Sequence, residues 1–266
     1  MPPSTTSSTD QCPKLSAPIV LAHGLLGFSR VQFAGMTLAS YFNRIPEFLS
    51  AVGNRVLQPA VPPTGSIRRR GQALKDEIRR LVGSERVHVI AHSMGGLDAR
   101  WMITALDMSE QVVSLTTLGT PHRGTVFADR SVGFASRWRL FGGLRTLGIP
   151  DEAFFDLRTD RTQTFNVTTP DVPEVRYFSV AGEPSREAML PVLRFSYDLI
   201  ADVEGPNDGL VSVTSATWGE SIDVWNADHV NMVGWTLPWQ KVVGQAFEVE
   251  AAYRGILERL AGLEGR

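Results

Sequence analysis

Cysteine is almost absent from this chain of 266 residues, and the single one, Cys12, cannot form a disulfide within the chain. No run of about 18 apolar residues occurs, so no membrane-spanning helix is expected. The formal net charge of −2 argues against a broad basic surface for nucleic acid. What is present, 43% hydrophobic and 20% charged residues, is typical of a globular protein whose length fits one large domain.

The N-terminal segment also lacks an apolar core. Residues 1–11 are rich in serine, threonine and proline, which is typical neither of a signal peptide nor of a membrane anchor. We predict a disordered lead-in over residues 1–16 and a single domain over residues 17–266. The location stays open, either cytoplasmic or secreted after removal of a signal.

The most informative stretch is the apolar run 87–91, which leads into Ser93 and then a helical pattern. A strand ending in a sharp turn cramps the serine, so its neighbours must be small, as Ala91, Gly95 and Gly96 are. Glycine is usual two residues before such a serine, and Ala91 departs from that pattern. The alternative is a turn that merely contains a serine; the pattern favours a nucleophile.

A serine hydroxyl is a poor nucleophile and needs a general base, for which histidine is suited near neutral pH. The chain has five histidines. His88 lies inside an apolar strand and is expected in the core, and His92 should point away from the serine that follows it. His23 and His122 belong to other motifs. By elimination, His229 is the predicted base.

The acid that orients the base is expected between the serine and the histidine along the chain. Asp208 lies in the loop-forming cluster 205–209, just before a strand-like run. The alternative for this cluster is a plain turn, which its asparagine and glycine favour. Asp228 is the competing acid, but side chains of adjacent residues rarely meet in the required geometry. Asp208 is the predicted acid.

A second strand-to-turn pattern occupies residues 18–27, where an apolar run meets a His-Gly turn. Ester hydrolysis passes through a tetrahedral oxyanion that backbone N–H donors stabilise. The predicted donors are the N–H groups of Leu25 and Met94, with His23 orienting the early loop. A dinucleotide-binding loop is excluded, because the glycines lack the G-x-G-x-x-G spacing.

The order of elements predicts an α/β fold with a mostly parallel sheet covered by helices on both faces. Strands are expected at 18–22, 55–61, 86–91, 112–119, 174–181 and 221–225, and helices at about 33–43, 66–82, 95–107 and 237–262. The one basic run, residues 68–70, opens a helical stretch with acidic neighbours and predicts a solvated face of self-paired charges.

An insertion over about 124–172 separates two strands by more than a crossover requires. Its interleaved aromatic, aliphatic, glycine and arginine residues are typical of a helical lid or cap over an active site, or of a packed helical insertion. In either case its apolar side chains would line an acyl-binding cleft. Leu26, Phe127, Trp138 and Phe141 are the predicted substrate-binding residues.

In this order, the motifs resemble the true lipases of bacteria, the α/β-hydrolase family typified by the Pseudomonas and Burkholderia triacylglycerol lipases. The segments that carry the resemblance are 18–27, 87–96, 118–125, 207–212 and 226–229. The resemblance implies a catalytic triad of Ser93, Asp208 and His229, with oxyanion donors at Leu25 and Met94. It also implies a monomeric lipase or carboxylesterase acting on acylglycerol-type esters, at a lipid–water interface.

Two functional alternatives remain open. One is a short-chain esterase or polyester hydrolase, and the other is a catalytically silent hydrolase fold that serves as a binding module. The intact set of serine, aspartate and histidine disfavours the silent module.

The chain departs from the resembling lipases in its metal ligands as well as in Ala91 and the lone cysteine. Many of those lipases bind a structural calcium through an aspartate two residues beyond the base, where this chain has Asn231. Calcium prefers several oxygen ligands that include carboxylates. Asp198 or Asp202 could supply one, but we predict no metal and no cofactor.

Overall fold

Six parallel strands form the central sheet of the computed structural model, which describes residues 12–27, 30–33, 36–134, 152–237, 240 and 247–265. The strands in chain order are β1 (Ile19–Ala22), β2 (Arg30–Phe33), β3 (Met36–Ser40), β4 (Val56–Leu57), β5 (Val87–His92), β6 (Val112–Leu118), β7 (Arg176–Gly182) and β8 (Ser221–Trp225). The spatial order is β4-β1-β5-β6-β7-β8, while β2 and β3 form a separate antiparallel hairpin. All six predicted strand positions are confirmed; β4 is shorter than predicted, and prolines follow it within a few residues.

Helices cover both faces of the sheet, as predicted. They are α1 (Ile45–Ala51), α2 (Ile67–Val82), α3 (Met94–Ala105), α4 (Val126–Phe134), α5 (Glu152–Asp156), α6 (Thr159–Thr168), α7 (Arg194–Glu204), α8 (Val213–Ala216) and α9 (Val249–Glu264), with short 3₁₀ turns at Pro191–Leu193 and Asn231–Val233. Alternate strand residues face opposite ways. Val20 and Val89 pack with α2 and α3, whereas Ile19 and Ile90 pack with α1 and α9.

Two predicted helices are wrong in whole or in part. The helix expected at 33–43 is instead the hairpin of β2 and β3, since a short apolar run satisfies either period and Gly35 interrupts the helical one. Of the helix expected at 237–262, residue 240 and residues 249–262 are helical, whereas 237 and 247–248 are not, and 238–239 and 241–246 lie outside the described residues.

The ordered domain begins before residue 17. Leu15 is buried in the core, and its N–H donates to the Asn54 side chain at 2.8 Å. The N–H groups of Ser16 and Ala17 donate to the carboxylate of Glu264, near the end of α9.

The insertion after β6 is described in part, as α4, α5 and α6. Trp138 and Phe141, two of the predicted substrate-binding residues, lie outside the described residues. Within the described ranges, no helix combines the length and the apolar character that crossing a membrane would require.

Candidate active site

Ser93 occupies the sharp turn between β5 and α3. Its backbone has φ 55° and ψ −134°, a conformation that non-glycine residues rarely adopt. A Cβ on Gly95 would lie 2.8 Å from the carbonyl oxygen of His23, so the elbow requires a glycine there. Ala91 is fully buried between Ala22 of β1 and Thr117 of β6, and its methyl group packs in the core. The elbow therefore accommodates alanine at this position.

His229 and Asp208 form a buried pair. The Nδ1–H of His229 donates to Asp208 Oδ2 at 2.7 Å, and Asp208 Oδ1 accepts from the N–H groups of Leu210 and Val211 at 2.9 and 2.8 Å. Because Nδ1 carries the proton that it donates in this hydrogen bond to the carboxylate, the lone pair of a neutral His229 ring lies on Nε2. A Cβ on Gly119, which has φ 54°, would lie 2.7 Å from Asp208 Oδ2, so the glycine admits this pair.

Asp228, the competing acid, bonds elsewhere. Its carboxylate accepts three backbone N–H groups, from Leu190 at 2.9 Å, Val230 at 3.0 Å and Asn231 at 2.8 Å. Burial raises its pKa, which these donors oppose. The structure thus brings Asp208 to the His229 ring and uses Asp228 to shape the loop around it.

The two predicted oxyanion donors lie near Ser93. Leu25 lines the same cavity as Ser93, and Met94 is the first residue of α3, whose N–H has no acceptor within the helix. In the described part of the chain, neither N–H donates to another residue. His23 donates from Nδ1 to the carbonyl of Gly24 at 2.9 Å, and burial lowers its pKa to about 4.

Arg70 anchors this early loop, and the sequence did not predict that role. Its guanidinium donates to the carbonyls of His23 at 2.8 Å and Gly24 at 3.2 Å, to the carbonyl of Pro62, and to Asp98 at 2.8 Å. Both side chains of the ion pair are buried. The solvated face predicted for residues 68–70 is therefore wrong at Arg70.

His92 also has a role that the sequence left unassigned. Its Nδ1 lies 2.7 Å from the hydroxyl of Tyr41 and its Nε2 lies 2.9 Å from the carbonyl oxygen of His229. Burial, and then the nearby His229, hold the pKa of His92 well below its usual range, so the ring is neutral. A carbonyl only accepts, so Nε2 carries the proton and Nδ1 accepts from Tyr41.

The two remaining histidines lie away from the site. His88 is buried and contacts the Ser114 hydroxyl at 2.7 Å and Glu264 at 3.1 Å, which confirms the predicted core position. His122 stacks on Trp218 and contacts Thr117 Oγ1 at 3.0 Å.

A cavity of about 470 Å³ opens beside Ser93 and His229. Its lining is mostly apolar and includes Leu25, Leu26, Phe127, Phe154, Leu157, Val230, Val233 and Trp235. Leu26 and Phe127, both predicted to bind substrate, are therefore part of it. The predicted nucleophile and base thus lie in one cavity suited to an apolar ligand.

Comparison with known proteins places the chain in a family. The chain is 30% identical over 254 residues to triacylglycerol lipase 2 of Saccharomyces cerevisiae, covering 86% of this chain and 76% of the relative. It is 29% identical over 253 residues to a triacylglycerol lipase of Vibrio cholerae, covering 81% and 79% of the two chains. The family model for a PGAP1-like alpha/beta domain matches residues 66–136.

The fold is shared with solved lipase structures. The crystal structure of Staphylococcus hyicus lipase superposes with a TM-score of 0.71 at 18% identity, covering 96% of this chain and 98% of the other. The fold predicted from the sequence is confirmed by this likeness and by the parallel sheet. The chain is a carboxylic ester hydrolase that belongs to the triacylglycerol lipases of the α/β-hydrolase superfamily.

Proposed function

We propose that the protein hydrolyses acylglycerol esters through an acyl-enzyme on Ser93, with His229 as the base and Asp208 as the acid that orients it. The observation that carries the proposal is the buried Asp208–His229 bond of 2.7 Å beside a cavity that Ser93 also lines. It is the arrangement of a serine hydrolase triad, in which roles follow from geometry.

In the acylation half, Nε2 of His229 takes the proton of Ser93 as Oγ attacks the ester carbonyl carbon. The carbonyl oxygen becomes an oxyanion, which accepts from the N–H groups of Leu25 and Met94. His229 then gives its proton to the departing alcohol, and the acyl group stays on Ser93. In the deacylation half, His229 takes a proton from water, which attacks the acyl carbon, and the acid leaves as Ser93 regains its proton.

Asp208 supports both halves of the reaction and stays ionised throughout. Its carboxylate holds Nδ1 protonated and stabilises the imidazolium that forms in each half. In the described residues the hydroxyl of Ser93 makes no hydrogen bond to the His229 ring. Such bonds are often long in free hydrolases and tighten when substrate binds.

The apolar lining of the cavity favours an acyl chain as the group bound beside Ser93. Phe127 of α4 and Phe154 and Leu157 after it contribute to this lining, so the insertion following β6 reaches the site. We therefore propose a lid or cap role for this insertion. On the strength of the five shared motifs, we also propose that the chain belongs among lipases of the Pseudomonas and Burkholderia type. Interfacial action on emulsified lipid is part of the same proposal.

The test is hydrolysis of p-nitrophenyl esters of increasing acyl length and of an emulsified triacylglycerol, comparing wild type with Ser93→Ala. We expect activity that extends to medium or long chains and disappears in Ser93→Ala, with the thermal midpoint little changed. Ser114→Ala, at the opposite end of the sheet, is the matched control and should retain turnover.

The outcomes separate the candidate functions. Activity on short esters alone would support a plain esterase and contradict the acylglycerol substrate. Full activity in Ser93→Ala would contradict the acyl-enzyme itself.

A further inference from the structure

The loop that follows His229 lacks the metal ligand that the resembling lipases place there. Asn231, two residues beyond His229, is buried, and both ends of its amide have backbone partners. Its Nδ2 donates to the carbonyl of Trp235 at 2.8 Å, and its Oδ1 lies 3.4 Å from the N–H of Asp228. If the amide were reversed, its oxygen would face the carbonyl oxygen of Trp235 and its NH₂ group would face the N–H of Asp228. These partners therefore fix its orientation.

Gln240 completes the arrangement from the next segment of the chain. Its Oε1 accepts from the N–H of Leu237 at 2.8 Å, and its Nε2 donates to the carbonyl of Ala188 at 2.8 Å. The two side-chain amides also bond each other: Asn231 Nδ2 lies 3.4 Å from Gln240 Oε1, and Gln240 Nε2 lies 3.3 Å from Asn231 Oδ1. The pair is reciprocal, and its backbone contacts join three segments.

The donor set does not fit a calcium ion. Calcium needs six or more oxygen ligands whose lone pairs point at it, whereas here the oxygens of both amides accept N–H groups. The nearby Asp228 carboxylate is bound to three backbone N–H groups. Asp198 is paired with Arg186 at 2.6 and 2.8 Å, and Asp202 is exposed.

We propose that Asn231 and Gln240 are positioning residues for the base, a neutral amide pair that fixes the His229 loop at the place where the resemblance implies a metal ligand. The inference rests on the proposed role of His229. Asn231 pins the loop just after His229, and Gln240 ties it to the segment that also bonds Asp228 through Leu190. Displacement of a catalytic group by about 1 Å costs on the order of a hundredfold in rate, so this anchoring affects turnover.

The first test is a double-mutant cycle with Asn231→Ala, Gln240→Ala and the double variant, assayed on a soluble p-nitrophenyl ester. We expect each single variant to lower kcat by about tenfold to a hundredfold with a smaller change in KM, since neither side chain lines the cavity. The double variant should resemble the singles, because the residues act as one unit. Unchanged kcat, or losses that multiply, would overturn the proposal.

Asn54→Ala is the matched control for a loss of stability alone. Asn54 is a buried asparagine whose amide bonds Leu15 at 2.8 Å and Pro13 at 3.3 Å, remote from the cavity. We expect it to lower the thermal midpoint as much as Asn231→Ala does while retaining kcat. A parallel loss of kcat in Asn54→Ala would assign the effect to stability and overturn the positioning role.

The second test measures the thermal midpoint and kcat of the wild type with excess EDTA and with excess CaCl₂. A ligand that binds the native state raises its stability by mass action, so an amide pair without a metal predicts no shift in either condition. A thermal midpoint that falls with EDTA and recovers with calcium would overturn the proposal. The thermal midpoint does not depend on turnover, so this outcome is separable from failure of the triad, which Ser93→Ala reports.

Discussion

The loops on the two sides of Ser93 are fixed by different chemistry. The early loop, with His23, Gly24 and Leu25, is held by the buried ion pair of Arg70 and Asp98. The later loops, which carry Asp208 and His229, are held by backbone N–H groups that donate to carboxylates and by neutral amides. The oxyanion side therefore depends on a pair of opposite charges, whereas the base side combines carboxylates bound to backbone N–H groups with neutral amides.

The two kinds of anchor should respond differently to pH. Burial raises the pKa of Asp98 to about 7 against the opposing effect of Arg70, with Asp156 adding to the rise. Breaking a buried ion pair leaves an uncompensated charge, which is more costly than losing a neutral hydrogen bond. The anchor of the oxyanion loop is thus titratable, whereas an amide pair does not titrate.

The largest expected effect concerns the two aspartates on the base side. Asp208→Asn should lower kcat by about 10⁴-fold, because an amide no longer selects the histidine tautomer with Nε2 free. Asp228→Asn keeps an oxygen for the N–H groups of Val230 and Asn231 and should lower kcat far less, while lowering the thermal midpoint more. Steady-state kinetics and thermal unfolding of both variants provide the measurement.

The contradicting result for this pair is a reversal of the order. A larger loss of kcat in Asp228→Asn than in Asp208→Asn would mean that the acid is Asp228. The comparison would then fail too, since the loop-shaping carboxylate would be the catalytic one.

The second prediction concerns the ion pair and the pH dependence of stability. The pKa of Asp98 is raised in the folded state from 3.8 to about 7, so the unfolded chain releases its proton first. This group therefore lowers the free energy of unfolding progressively as pH rises from about 4 to about 7. In Asp98→Asn that contribution is absent, so the variant should gain on the wild type over this window by up to a few kcal/mol.

Denaturant unfolding of both proteins across the window measures the difference. His23, whose lowered pKa has the opposite effect on the slope, is common to both proteins and cancels. Asp198→Asn is the control, because Arg186 lowers the pKa of that exposed carboxyl, so its linkage to folding lies below about pH 4 and its difference from wild type should stay flat across the window. A difference between Asp98→Asn and wild type that stays constant from pH 4 to 7 would contradict a titrating ion pair.

The features of the site that the sequence could predict are those formed by residues close together in the chain. Ser93, its small neighbours and the strand before it form one local pattern, and the turn around Asp208 is another, so both could be predicted. The structure satisfies both meanings of the Asp208 cluster: Asn207 accepts from Gly209 in a turn while Asp208 bonds His229.

The contacts that anchor the loops around Ser93 join residues far apart in the chain and could not be predicted from local patterns. Arg70 lies in a basic run with helical periodicity, and only the fold brings Asp98, 28 residues later, against it. His92 could be predicted to point away from Ser93, but not to meet Tyr41, 51 residues earlier. Tyr41 lies within the helix predicted at 33–43, where the structure instead has β3 and the residues that follow it. Long-range pairing of polar groups leaves no periodic trace in the sequence.

A weaker effect is expected for a neutral hydrogen bond that helps to anchor the base side. Tyr41→Phe removes the hydroxyl that donates to His92, the ring whose Nε2–H holds the carbonyl of His229. One neutral hydrogen bond contributes about 1 kcal/mol, so kcat should fall about fivefold with KM little changed. Tyr177→Phe is the control: its hydroxyl accepts from the N–H of Val172 at 3.1 Å, away from the cavity, and the variant should lose similar stability but keep kcat. Equal kcat in the two variants would show that His92 does not position His229, and the base side would then depend on Asp208, Asp228 and the amide pair alone.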